Sequence, residues 1–214
     1  MQGVVYDITL RVKIYWGDNM DFNILLFNDF ETLDIFGPIE IFASKVDHKI
    51  NYYSLNGGVI VSRQGAKIIT DKISNADKKG VLVLPGGMGT RKLVKDNNFL
   101  ESLKDIADSA EYCISICTGS AVFAKAGLLD GKKATSNKRA LDWVKTMSDK
   151  TEWVHKARWV VSGKYYTSSG VSAGIDMALG FMADLYGIDL AKRIAQGIEY
   201  VWNSDKDKDD FYIR

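Results

Sequence analysis

Hydrophobic and polar positions along this chain follow two periods in alternation. Asn23–Phe27 (NILLF), Val81–Leu84 (VLVL) and Tyr112–Ile116 are short apolar runs closed by turn residues, the pattern of strands buried on both faces. Leu33–Ser44 has helical spacing, with Ile35, Ile39 and Phe42 near one face, and Phe99–Ala110 reads as an amphipathic helix. A helical run follows Cys117-Thr118-Gly119-Ser120 through Ala126, and Gly127 ends it. Ala140–Met147, Ser172–Tyr186 and Asp189–Val201 complete the predicted helices. Asn51–Leu55 and Val59–Val61 flank an Asn56-Gly57-Gly58 turn signal, and Trp159–Val161 with Tyr165–Ser168 form a hairpin around Ser162-Gly163-Lys164.

Strands that alternate with helices predict an α/β fold in one domain, a mostly parallel sheet covered on both faces. The ends stand apart from this core. Residues 8–16 alternate like an extra strand. Yet Met20 directly precedes the first core strand, and Trp16-Gly17-Asp18-Asn19 back-translates to TGGGGNGAYAAY, G-rich bases that suit a bacterial ribosome-binding site. Residues 1–21 are therefore set apart as an N-terminal extension, either an extra strand or a non-native start. Residues 22–203 form the domain, and 204–214 a charged, solvated tail.

Composition narrows the class. The 214 residues carry 28 Lys plus Arg against 27 Asp plus Glu, so net charge gives no argument for nucleic acid or an anionic membrane. No apolar stretch is long enough for a transmembrane helix. Two cysteines form no disulfide framework, which points to a reducing, cytoplasmic compartment. The histidines His48 and His155 match no zinc spacing, so no metal site is expected.

The chemistry centres on Cys117. It follows an apolar strand and opens a helix through a small-residue turn, the sequence signature of a nucleophile elbow. Helix N–H groups and the helix dipole favour thiolate there, so a lowered pKa is expected. The Thr118 N–H points to where an oxyanion forms. The alternative reading makes Cys117 a small buried hydrophobe, the role assigned without contest to Cys113 in mid-strand. Asp34 and Glu31 follow the first strand and are the candidate acids; the competing role is helix capping. Pro85-Gly86-Gly87 permits close backbone approach, as an oxyanion hole or simply as a tight turn. His155 is a weak candidate base for Cys117.

The segments ILLFNDFETLDIFGPIEIFA, VLVLPGGMGTRKL, ISICTGSAVFAKAGLLDGKKAT and YYTSSGVSAGIDMAL, in this order, resemble the ThiJ/PfpI superfamily of the class I glutamine amidotransferase-like fold. The resemblance spans about Phe22 to Tyr200 and is strongest to isonitrile hydratase-like members and to the amidase-like domain of AraC-type regulators. It implies a three-layer α/β/α sandwich, flavodoxin-like in its sheet, a homodimer, a small-molecule substrate and no cofactor. By position it implies Cys117 as nucleophile, Asp34 as the acid that contacts it, Thr118 after the nucleophile, Gly87 as a backbone donor with Gly86 beside it, and Val171 lining the pocket. Thr118 stands where PfpI-type proteases carry His. Ala134-Thr135-Ser136-Asn137 departs from the Thr-Thr-His that hydratases commonly carry, which bears on the substrate. The expected activity is hydration of a small electrophile; the alternatives are amide or peptide hydrolysis and a non-enzymatic redox or ligand sensor.

Overall fold

A computed structural model describes residues 20–212 apart from Val46 and Lys78. The extra strand or non-native start expected within residues 1–19 lies outside the described residues. The first strand, β1, is Asp21–Leu25, followed by helix α1 (Thr32–Phe42), β2 (Lys49–Ser54), β3 (Gly58–Val61), β4 (Lys67–Lys72) and β5 (Val81–Leu84). Next come α2 (Thr90–Leu93), α3 (Asn97–Ser109), β6 (Tyr112–Ser115), α4 (Gly119–Lys125), β7 (Lys133–Ala134), α5 (Leu141–Lys145) and β8 (Glu152–Trp153). The chain closes with β9 (Trp159–Ser162), β10 (Tyr165–Ser168), α6 (Ala173–Tyr186) and α7 (Ile188–Gly197).

The main sheet has the order β3-β4-β2-β1-β5-β6-β10-β9. Its six inner strands are parallel, and β3 and β9 are antiparallel edges. Phe22, Ile24, Leu82, Leu84 and Ile114 are fully buried, as strands covered on both faces require. Helices α1, α6 and α7 pack on one another in one layer, and α2 through α5 in the other. Helix α3 shows how sequence makes such an element: Asp96 caps it by accepting the Phe99 N–H, and Phe99, Leu103 and Ile106 turn one stripe to the core.

Several features differ from the sequence reading, among them the short elements α2, β7 and β8, which no pattern predicted. Strand β4 was not expected, because Ile68 and Ile69 stand side by side instead of alternating; Ile69 is 82% exposed on this peripheral ribbon. It sits between β2 and β3, so the strands that flank the glycine turn are not neighbours. The last helix ends at Gly197, short of Val201. The segment after Asn203 is also no free solvated tail. The Lys206 carbonyl accepts the N–H groups of Arg158 and Trp159, the Asp209 N–H donates to the Lys156 carbonyl, and the Asp209 side chain is buried against Arg158 and Lys138.

Candidate active site

The order β2-β1-β5 reverses the direction of winding between β1 and β5, which opens a crevice at the carboxyl ends of the strands. Three loops enter it, after β1, β5 and β6. The loop after β1 is tied to that after β5 by a bridge between Phe30 and Gly87 and by the Glu31 N–H, which donates to the Gly86 carbonyl at 3.0 Å. The loop after β6 is held from the other side, where the Cys117 N–H donates to the Ser169 carbonyl beyond β10 at 3.1 Å.

Cys117 takes a φ of +54°, in the left-handed region that non-glycine residues seldom adopt. The surroundings fix it there: Ser136 Oγ (2.8 Å) and Ser120 Oγ (3.2 Å) both donate to the Cys117 carbonyl. A sharp turn between β6 and α4 is thus present, as an elbow requires. Gly86 lies hard against it. A Cβ built on Gly86 would stand 2.5 Å from the Thr118 nitrogen and 2.9 Å from the Cys117 Cβ.

Asp34, in the first turn of α1, is fully buried. Its Oδ2 accepts the Gly86 N–H at 2.8 Å, and its Oδ1 has no hydrogen-bond partner. Asp34 and Cys117 therefore flank the same glycine, and the Asp34 carboxylate acts electrostatically on the thiol, though no direct hydrogen bond joins them. Neither acid caps α1. Glu31 occupies the N-cap position without a side-chain cap bond, and its carboxylate instead accepts Gln64 Nε2 from the loop between β3 and β4.

The electrostatics overturn one expectation. Burial raises the pKa of Asp34 well above the ordinary carboxylate value, and the Glu31 charge adds to this. Burial also pushes the Cys117 thiol up, with the Asp34 charge next, while the Thr118 N–H and the Asn137 amide pull it down. The thiol is thus shifted up where a lowered pKa was expected: Cys117 is only 6% exposed, and the loss of water outweighs the two hydrogen bonds that favour the thiolate. Cys113 is fully buried in β6, its thiol reaches the Ala107 carbonyl at 3.7 Å, and burial raises it to about 12.

Thr118 and Gly87 are joined to each other: the Gly87 N–H donates to Thr118 Oγ1 at 3.0 Å. With the Gly86 N–H on Asp34, both backbone donors of the Gly86-Gly87 turn have partners. His155 stands among Lys145, Lys138 and Asp142, and His48 bonds the Phe42 carbonyl and Tyr186, so neither histidine pairs with Cys117. Val171 lines a cleft of about 300 Å³ together with Leu33, Asn137, Lys138, Ser169 and Phe211.

Asn137 is the residue that sequence reasoning passed over. Its Nδ2 donates to Cys117 Sγ at 3.3 Å, across 20 residues of chain. In the sequence it figured only as a departure from Thr-Thr-His. Asn137 follows β7 by three residues in a polar stretch, so no local pattern marked it. Among the described residues no cluster of His, Cys, Asp and Glu could hold a metal ion, and no helix is long and apolar enough to cross a membrane.

Comparison with known proteins agrees with this fold. Isonitrile hydratase of Pseudomonas putida is 33% identical over 177 residues, 82% of this chain and 76% of that protein. Deglycase PfpI of Pyrococcus furiosus is 26% identical over 144 residues, 66% of this chain and 84% of that one. The crystal structure of a ThiJ/PfpI family protein from Pseudomonas syringae superposes with a TM-score of 0.79 at 30% identity, covering 86% of this chain and 76% of that one. The DJ-1/PfpI family pattern matches residues 21–184, the whole stretch that carries Asp34, Gly86, Cys117 and Asn137, and the chain belongs to that family.

Proposed function

We propose that this protein is an enzyme that adds water to a small, uncharged electrophile of the isonitrile class, with Cys117 as nucleophile and Asp34 as the group that moves the proton. The observation that carries this reading is the placement of Asp34: fully buried, its pKa raised by that burial, one oxygen unpartnered, and close enough that its ionisation acts on the thiol. A carboxyl group so placed relays a proton rather than holding a fixed cation.

The sulfur of Cys117 bonds to the terminal carbon of R–N≡C while the thiol proton, relayed by Asp34, arrives at that same carbon. The product is a thioformimidate, R–N=CH–S–Cys117. The Thr118 N–H and the Asn137 amide, both aimed at the sulfur, stabilise its charge as the S–H bond breaks. Water then adds across C=N, oxygen to carbon and hydrogen to nitrogen. The C–S bond breaks as the hydroxyl proton returns through Asp34 to sulfur, and R–NH–CHO leaves. One water is consumed and nothing is expelled. Gly87, bonded to Thr118, holds the elbow residue in register rather than receiving an oxyanion.

Amide hydrolysis requires a proton for the departing amine, and the partners of His48 and His155 lie elsewhere. The similarity to an isonitrile hydratase supports the addition reading. A homodimer belongs to the same proposal and is checked by light scattering. The deciding experiment is turnover of an alkyl isonitrile and of an unactivated peptide amide by the same preparation. Formamide is expected, with at least about a thousand-fold loss in Cys117→Ala. Peptide cleavage that disappears in Cys117→Ala, without formamide, overturns the reading.

A further inference from the structure

The residues after Asn203 have a place in the site that their composition does not suggest. Ser204–Tyr212 runs beside β9, pinned at Lys206 and Asp209 by the backbone bonds to Arg158, Trp159 and Lys156. The pin is reinforced inside. The Asp209 side chain is 1% exposed and lies 3.8 Å from Lys138 Nζ and 3.9 Å from Arg158 Nη1, while Arg158 also holds the fully buried Asp176. A row of charged residues in the sequence thus anchors a segment through one buried carboxylate between two cations.

What this anchor presents is Phe211. The Asp209 Oδ1 accepts the Phe211 N–H at 2.9 Å, which fixes the backbone two residues on. Phe211 is 70% exposed yet lines the same cleft as Val171, and Leu33, 44% exposed, lines it too. Val171 completes the rim. Asn137, whose amide touches the Cys117 sulfur, and Ser169, whose carbonyl holds the Cys117 N–H, line it as well and connect it to the thiol. Large apolar side chains held in water around one concave site are the usual sign of an apolar ligand.

We propose that the segment Ser204–Tyr212 is a wall of the substrate cleft, and that Phe211, with Leu33 and Val171, selects substrates in which the electrophilic carbon is borne on a bulky alkyl or aryl body. The inference rests on Cys117 as the reacting atom. Phe211 is a specificity residue that contacts the substrate body, and Asp209 is a positioning residue that acts through it.

The test reads access to the thiol without requiring turnover. Cys117 is alkylated at pH 8 with iodoacetamide and with N-benzyliodoacetamide, and the rates are followed by intact mass in the wild type, Phe211→Ala, Phe211→Leu and Asp209→Asn. Phe211→Ala removes a mostly exposed ring, so the fold is retained. It is expected to slow the benzyl reagent at least 5-fold and leave iodoacetamide within 2-fold, with partial recovery in Phe211→Leu. Asp209→Asn is expected to behave like Phe211→Ala. Equal effects on both reagents, faster benzyl labelling in Phe211→Ala, or no labelling of wild-type Cys117 by either reagent overturns the proposal. A selective effect in a protein that yields no formamide leaves the wall standing and sinks the isonitrile reading; formamide production with unselective labelling does the reverse.

Discussion

Asp34 carries a cost that only its chemistry explains. A fully buried carboxyl group with one unpartnered oxygen destabilises the fold it sits in, by roughly 1–3 kcal/mol for an orphaned polar atom. Its folded pKa is raised, so the folded state holds a proton that the unfolded chain releases. Its contribution is favourable below the unfolded pKa and is lost as pH rises through the folded one. Asn has the shape of the protonated acid and does not titrate. Asp34→Asn is therefore expected to raise the melting temperature at pH 7 by a few degrees while lowering turnover at least about 100-fold, a gain in stability at the expense of activity. Paired calorimetry and kinetics check this; an unchanged or lower melting temperature contradicts it. At this scale the sequence showed the elbow cysteine and the acid, because each stands in a short local pattern. It did not show the upward shift of both groups, which depends on how much water the surrounding elements exclude.

The elements meet through glycine at one decisive contact. The turn after β5 and the elbow after β6 lie so close that Gly86 has no room for a side chain, its virtual Cβ falling 2.5 Å from the Thr118 nitrogen. That neighbour is backbone and cannot swing away. Gly86→Ala is expected to cost about 1–3 kcal/mol, with a fall of roughly 2–4 °C per kcal/mol for a chain of this size. Gly197, at the end of α7, meets nothing within 4 Å, so Gly197→Ala is the contrast and is expected to be neutral or stabilising by up to about 1 kcal/mol. Thermal melts of the two variants together test whether packing at the elbow, rather than loss of a glycine, sets the penalty. The Pro-Gly-Gly motif announced a close approach, but not that its partner was the nucleophile's own turn. Nor did two adjacent isoleucines announce β4, since its pairing with β2 and β3 replaces the alternation that marks a half-buried strand.

Across the whole molecule, the cluster of Lys138, Arg158, Asp176 and Asp209 ties the C-terminal segment to the sheet. Burial lowers Lys138 to about 8 from 10.5; the Asp209 charge raises it and the Arg158 charge lowers it further. The folded state therefore releases this proton before the unfolded chain does, and between pH 8 and 10.5 the unfolded chain binds more protons. Stability contributed by this site rises with pH across that window. Lys138→Met is expected to flatten the rise, and urea unfolding of wild type and variant at pH 7.5, 9 and 10.5 measures the difference. A difference that does not change with pH contradicts the assignment.

What the sequence determined by itself is what neighbouring residues determine: apolar runs that must be strands between covered faces, helical stripes, a hairpin at Ser162-Gly163-Lys164, and a cysteine at a strand-to-helix turn. What only the tertiary structure decided arises between residues far apart in the chain. The Gly86 bond to Asp34 joins positions 52 apart, Asn137 reaches Cys117 across 20, and Asp209 settles between Lys138 and Arg158. The strand order creates these meetings and removes the water around them, and no local period encodes either. For that reason the elbow was legible, while the raised thiol, the amide that touches it and the C-terminal wall beside it were not.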